Sequence, residues 1–245
     1  MCARYEPPSR FLFVDHDGVG VEIDSPIQDE LFPRKQGYFV RRPLAADAGD
    51  DAVPRVEPVT GRWGLISRLT RSDKLVDAEK LSTHNARDDR VAKSFTFGNA
   101  WRRAQHCIVP AQAFWEPDWR TGAHIPTRFT TVDGEPFGIA GLWDTYKDES
   151  GALRESYTML TTNADTHPLL RHYHRIKDEK RMLVLLPRAQ WAEWLDAPAE
   201  GAMAFVSQYP AERMIATGHP VEPKAKAMLA KRAAPKPPPI QGELL

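Results

Sequence analysis

Apolar and polar positions along the chain predict mostly short strands, with few helices between them. RFLFVD reads as a strand, and KQGYFVRRP reads as extended. DSPIQDELF carries a helix start, with Ser25 as N-cap, Pro26 at the first helical position and Gln28 completing a capping box. Residues 43–58, PLAADAGDDAVPRVEP, have no apolar period and predict a surface loop inserted in the domain. In IPTRFTTVDGEPFGIAGLW two β-prone runs flank Asp133-Gly134, a favoured hairpin turn, and RESYTMLTT follows a second turn at KDESG. RMLVLLP is a buried strand candidate. PRAQWAEWLDAP predicts a helix opened by Pro187, with Trp191, Trp194 and Leu195 on one core-facing side. This pattern argues α+β with a curved, antiparallel sheet rather than a βαβ parallel sheet.

Length and composition narrow the picture. A chain of 245 residues, 42% hydrophobic, can bury a substantial core, and one compact domain is the expectation. That domain is expected over 1–220, followed by a Lys/Ala/Pro-rich tail over 221–245, extended or mobile. Lys+Arg and Asp+Glu both number 33, so an anionic ligand has to be met by a local patch rather than by the whole-molecule field. No run reaches the ~18 apolar residues of a membrane span and the N-terminus has no signal-peptide core, so a soluble cytoplasmic protein with no membrane partner is expected. Two cysteines cannot build a disulfide framework, and Cys107, in CIVP, reads as a small buried hydrophobe.

The other cysteine stands second, in MCARY. If Met1 is removed, Cys2 becomes a 1,2-aminothiol. Its α-amine has a reference pKa of about 7.7 to 8.0, so a useful fraction is nucleophilic at neutral pH. Two chemistries follow. The thiol attacks an acyl carbon with the amine as base, as in N-terminal nucleophile hydrolases. Alternatively, the amine condenses with an aldehyde and the thiol closes onto the imine, giving a five-membered thiazolidine. The plain alternative is an ordinary residue at a frayed terminus.

MCARY, RWGL at 62–65, STHNAR, AFWEP and TTNADTHPLLRHYHRIKDEKRMLVLLP, in that order, resemble the SOS-response-associated peptidase (SRAP) family, the abasic-site processing proteins. The resemblance runs from Met1 to about Gly218. It implies a single domain with a barrel-like β core flanked by helices, needing no cofactor. It also implies binding to single-stranded DNA with an abasic site and a thiazolidine crosslink through the N-terminal cysteine once Met1 is lost by self-processing; a monomer is expected. Carried onto this chain, Cys2 crosslinks, Asn85 positions its amine, Glu116 is an acid/base group and His174 best matches the motif histidine. Arg4, Arg87 and Arg181 match positions that approach phosphates or the lesion, and Trp63 is expected to stack on an unpaired base. Arg41, Arg42, Arg102 and Arg103 are candidates to extend that positive surface.

Residue chemistry asks for similar groups. Ring opening and imine formation move protons near neutral pH, which suits a histidine and a buried carboxylate. Each position keeps an ordinary alternative: Glu116 in a buried ion pair, Asn85 capping ARDDRVAK, each arginine as a surface charge. His167, His172 and His174 crowd one segment, but neither a Cys pair nor HExxH accompanies them, so no metal site is expected. The chain departs from the family pattern at Ala3, where glycine is usual, at Ser67 of WGLIS, and in the longer run from His174 to Arg181-Met182. The acidic residue expected after NAR is Asp88 or Asp89. An N-terminal-cysteine amidohydrolase and a non-catalytic single-strand binding module are the competing functions.

Overall fold

A computed structural model describes residues 2–27, 29–44, 53–175 and 177–219. In chain order the elements are β1 (Tyr5–Glu6), β2 (Arg10–Val14), β3 (Gly20–Asp24), β4 (Gln36–Arg41), β5 (Glu57–Trp63), α1 (Leu75–Lys80), β6 (Asn85–Arg87) and α2 (Gly98–Arg102). They continue as β7 (His106–Ala111), β8 (Ala113–Asp118), β9 (Ile125–Thr131), β10 (Phe137–Lys147), β11 (Leu153–Asn163), β12 (Arg181–Leu183), β13 (Leu185–Leu186), α3 (Trp191–Asp196) and β14 (Met214–Gly218). Strands β11, β5, β4, β7 and β10 pair in a ring, β10 returning to β11, and close a five-stranded barrel. Among the described residues only β11 pairs in parallel, with β5 and β6; the other ladders are antiparallel. A second sheet has the order β1-β8-β9-β14, and β2-β3 is a separate hairpin. The fold is therefore α+β around a barrel-like core.

Strand periodicity divides the interior in two. Successive side chains of a strand point to opposite faces, so Cys107 and Val109 join one core while Ile108 joins another. Phe39 and Val40, Ile139 and Ala140, and Met159 and Leu160 divide in the same way. The first core packs against Tyr5, Phe114 and Phe129 on the second sheet, the second against Trp101, Trp191 and Trp194 on the helices. Strands β7 and β10 thus have both faces covered, which explains their near-continuous apolar runs.

Several local expectations change. Residues 25–27 form a turn, not a helix start: the Ser25 hydroxyl accepts from the Ile27 N–H at 3.2 Å and donates back to the Ile27 carbonyl, so the local backbone is satisfied within the turn. Gln28 lies outside the described residues. Asp133-Gly134 does turn the chain, with Gly134 at φ +79, but β9 and β10 do not pair with each other. The turn passes the chain from one sheet to the other. KDESG makes a true hairpin, pairing Lys147 with Leu153. RMLVLLP is buried but broken at Val184, where the chain leaves β11 and joins β10. Glu57 and Pro58 of the expected loop begin β5, and 45–52 lie outside the described residues, as does the tail from 220.

Candidate functional site

The N-terminal segment is carried to the site by the register of β1. Tyr5 pairs with Phe114, and the Trp115 N–H donates to the Arg4 carbonyl at 3.0 Å, so residues 2–4 run alongside Trp115 to Pro117. Tyr5 anchors the segment: its hydroxyl lies 2.6 Å from that of Tyr157, and its ring meets Trp63 edge-on at 4.9 Å. Gly37 leaves the space, because a Cβ there would lie 2.0 Å from the Tyr157 hydroxyl.

Cys2 is fully buried, and its Sγ lies 3.3 Å from the Arg4 carbonyl, to which the thiol donates. Burial, reinforced by the Glu116 carboxylate, pushes the thiol up to about 12, so it is protonated at neutral pH. Asn85 opens β6, which is placed by its parallel ladder to β11. Its Nδ2 donates to the Cys2 carbonyl at 2.6 Å, while its buried Oδ1 takes no hydrogen bond among the described residues. The side chain therefore does not cap the following segment, and it holds the backbone of residue 2.

Glu116 on β8 is buried, and its Oε2 lies 3.3 Å from Nε2 of His174. His174 has φ +63 and donates its backbone N–H to the Pro117 carbonyl at 2.8 Å, which aims the ring back across β8. Burial lowers the His174 pKa and Glu116 opposes that; the net shift is downward, so the imidazole is neutral at pH 7. Cys2, Asn85, Glu116 and His174 are thus brought together. The other two histidines of that run go elsewhere. His167 is structural, its Nδ1 accepting from the Leu169 and Leu170 N–H groups and its Nε2 donating to the Tyr209 carbonyl at 2.7 Å. His172 is exposed and accepts from Arg171. No group of three or more metal-ligating side chains clusters among the described residues.

A pocket of about 330 Å³ opens over Glu116, lined by Ala3, Arg4, Phe32, Trp115 and His124 among others. Ala3 is not among the described residues with positive φ, so its Cβ adds no backbone strain. The expected DNA-contacting side chains are arranged differently. Trp63 is wholly buried, its Nε1 donating to the His84 carbonyl at 2.9 Å, and offers no face to a base. Arg181 is buried against Asp88 at 2.5 Å and Glu179 at 2.9 Å, so it braces the loop rather than facing solvent. Of the two acidic residues after NAR, Asp88 pairs with Arg181 and Asp89 with Arg87, which also meets Glu179 at 2.6 Å. Arg4 lies 3.8 Å over the Trp115 ring and pairs with Glu30. Arg41 is buried between Glu57 and Glu155, and Arg42 bridges Asp15 and Asp196, so neither extends a positive surface. Arg103 lies 3.5 Å from Asp144, and Arg102 reaches the Ala92 carbonyl. Sequence reading missed His84, beside Asn85 in the quoted STHNAR, and Trp115, which supports Arg4; adjacency to a site residue was the available signal for both.

Comparisons with known proteins bear on the family and the fold. A protein from Bordetella bronchiseptica of known structure is 44% identical, with a TM-score of 0.78 over 90% of this chain and all of that one. A phage-related protein from the same organism is 16% identical at TM-score 0.61, over 90% of this chain and 95% of that one. A protein from Bacteroides thetaiotaomicron is 23% identical at TM-score 0.61, over 74% and 72%. The last two bear on the fold alone. No curated protein matches the chain. The model of the SOS response associated peptidase (SRAP) family matches residues 1–226, and the chain belongs to that family.

Proposed function

We propose that the protein captures abasic sites in single-stranded DNA by a covalent bond through Cys2, after loss of Met1, in the cytoplasm. The observation that carries this reading is that Asn85 fixes the backbone of the second residue beside a buried carboxylate and imidazole. An abasic sugar in its open form presents an aldehyde. The free amine of Cys2 adds to that carbon, a proton moves to the departing hydroxyl, and water leaves to give an imine. The thiol then adds to the imine carbon, its proton passing to nitrogen, and the ring closes. The thiol is protonated until it reacts, so it needs a base within reach, and Glu116 and His174 supply the acid and base for both proton movements. The Oδ1 of Asn85, which takes no hydrogen bond among the described residues, can accept one from the amine freed by loss of Met1. The same pair suits hydrolysis of the Met1–Cys2 bond, which needs a general base and an acid for the leaving amine.

The test is a denaturing gel of the protein, mature by intact mass, with single-stranded DNA bearing one abasic site, beside Cys2→Ala. A band that resists denaturation and is absent from Cys2→Ala supports the reading. Its absence, with Met1 gone, sinks it. Glutamine hydrolysis by such a protein favours an amidohydrolase, and equal salt-reversible binding to intact and abasic strands favours a binding module.

A further inference from the structure

Arg4, Arg87 and Arg181 are all neutralised by carboxylates, which raises the question of what else meets an anionic strand beside Cys2. A second cleft, of about 260 Å³, is lined by Arg34, Gly64, Ser82, Thr83 and His84, with Trp63 behind them. It adjoins the Cys2 site through the chain itself, since His84 precedes Asn85.

Three features of this cleft point to a ligand. Arg34 has φ +74, a left-handed backbone that is costly for a residue with a Cβ and is enforced here by hydrogen bonds from the Arg34 N–H to the Trp63 carbonyl and from the Trp63 N–H to the Lys35 carbonyl. Its guanidinium donates to the Lys80 carbonyl at 2.5 Å and forms no ion pair among the described residues. Thr83 is 5% exposed, and its Oγ1 makes no hydrogen bond among the described residues. His84 has its carbonyl fixed by Trp63 Nε1 and the Met159 N–H, and burial lowers its pKa to about 4, so at neutral pH its ring is an uncharged donor. Gly64, at φ +135, leaves room for the Arg62 guanidinium beside the cleft: a Cβ there would lie 2.6 Å from Arg62 Nη1.

We propose that this cleft is a phosphodiester subsite, in which Arg34 supplies the charge and Thr83 and His84 supply neutral donors to a backbone phosphate flanking the sugar at Cys2. The proposal rests on the reading of Cys2 as DNA-reactive and names how the strand is held there. One cation with two neutral donors satisfies several phosphate oxygens while leaving binding salt-dependent through a single charge.

The experiment uses the full-length mature protein and a single-stranded oligonucleotide carrying a tetrahydrofuran abasic analogue, which has no aldehyde and binds reversibly. Arg34→Gln is expected to raise Kd about tenfold and to make the log–log salt dependence shallower by about one. Arg34→Lys recovers part of the affinity, and Thr83→Val weakens binding less. A methylphosphonate at one linkage beside the analogue weakens the wild-type protein but adds nothing to Arg34→Gln. Wild-type affinity in a folded Arg34→Gln protein overturns the subsite, as does an equal further loss in that variant from methylphosphonates at every linkage. The two readings fail separately. Loss of the Cys2-dependent crosslink on a true abasic strand, with Arg34-dependent binding intact, removes the chemistry and leaves the subsite.

Discussion

The molecule buries two cysteine and histidine neighbourhoods, and they differ in what surrounds them. Around Cys107, His106 stacks on Trp194 at 4.1 Å, its Nδ1 bonds the Trp194 carbonyl, and Trp194 Nε1 bonds the Cys107 carbonyl. Around Cys2, the histidine faces a carboxylate and a pocket opens over that carboxylate. Burial raises both thiols and lowers both histidines. Burial alone therefore does not mark a site. The difference lies in a second titratable group within reach and an opening through which a ligand can arrive.

That contrast can be broken by exchange experiments, taken from the largest effect down. Glu116→Gln removes the carboxylate proposed as the base beside Cys2 and is expected to slow crosslinking by about 10² to 10⁴, measured as single-turnover rates on denaturing gels, with a thermal midpoint near wild type. Trp194→Ala should do the reverse, costing about 3 to 5 kcal/mol in urea melts while the folded fraction crosslinks at the normal rate. Acid should expose the share of stability that His106 carries. His106 has a folded pKa lowered from 6.5 to about 4 by burial, so its contribution is fully present above the unfolded value and is lost as pH falls through that window. The loss amounts to roughly 3 kcal/mol by pH 4, and urea midpoints at pH 7, 5.5 and 4.5 should show a steeper decline in wild type than in His106→Leu. Smallest is Cys107→Ala, at about 1 kcal/mol for a small buried side chain and no change in crosslinking; loss of crosslinking there would join the two neighbourhoods after all.

Much of the fold was legible because strands write themselves into sequence with period two. RFLFVD, KQGYFVRRP and RESYTMLTT lie where the pattern put them. Pairing was less legible. The Asp133-Gly134 turn has hairpin chemistry, yet its flanking strands join different sheets, because the partners of β9 and β10 come from distant parts of the chain. Ser25 misled for a local reason: a hydroxyl that caps a helix can also close a turn two residues long. At the site, the residues named from motif order do converge. What order could not show was environment. Trp63 has the right chemistry for a base and is buried, and Arg181 meets its carboxylate in Asp88, distant in sequence. Arg34 carried no signal at all, since its interest lies in a backbone angle and in the lack of a carboxylate partner among the described residues.

The hydrogen bond from Asn85 falls on the carbonyl of residue 2, a group that every amino acid possesses. The fold therefore selects by address, while identity is left to the side chain. A Cys2→Ser protein should be delivered to the same place with a hydroxyl where the thiol stood, which makes the second position a socket for comparing nucleophiles. The same logic constrains anyone who handles the protein: an affinity tag ahead of Met1 shifts the address, whereas one placed after the last strand leaves it unchanged.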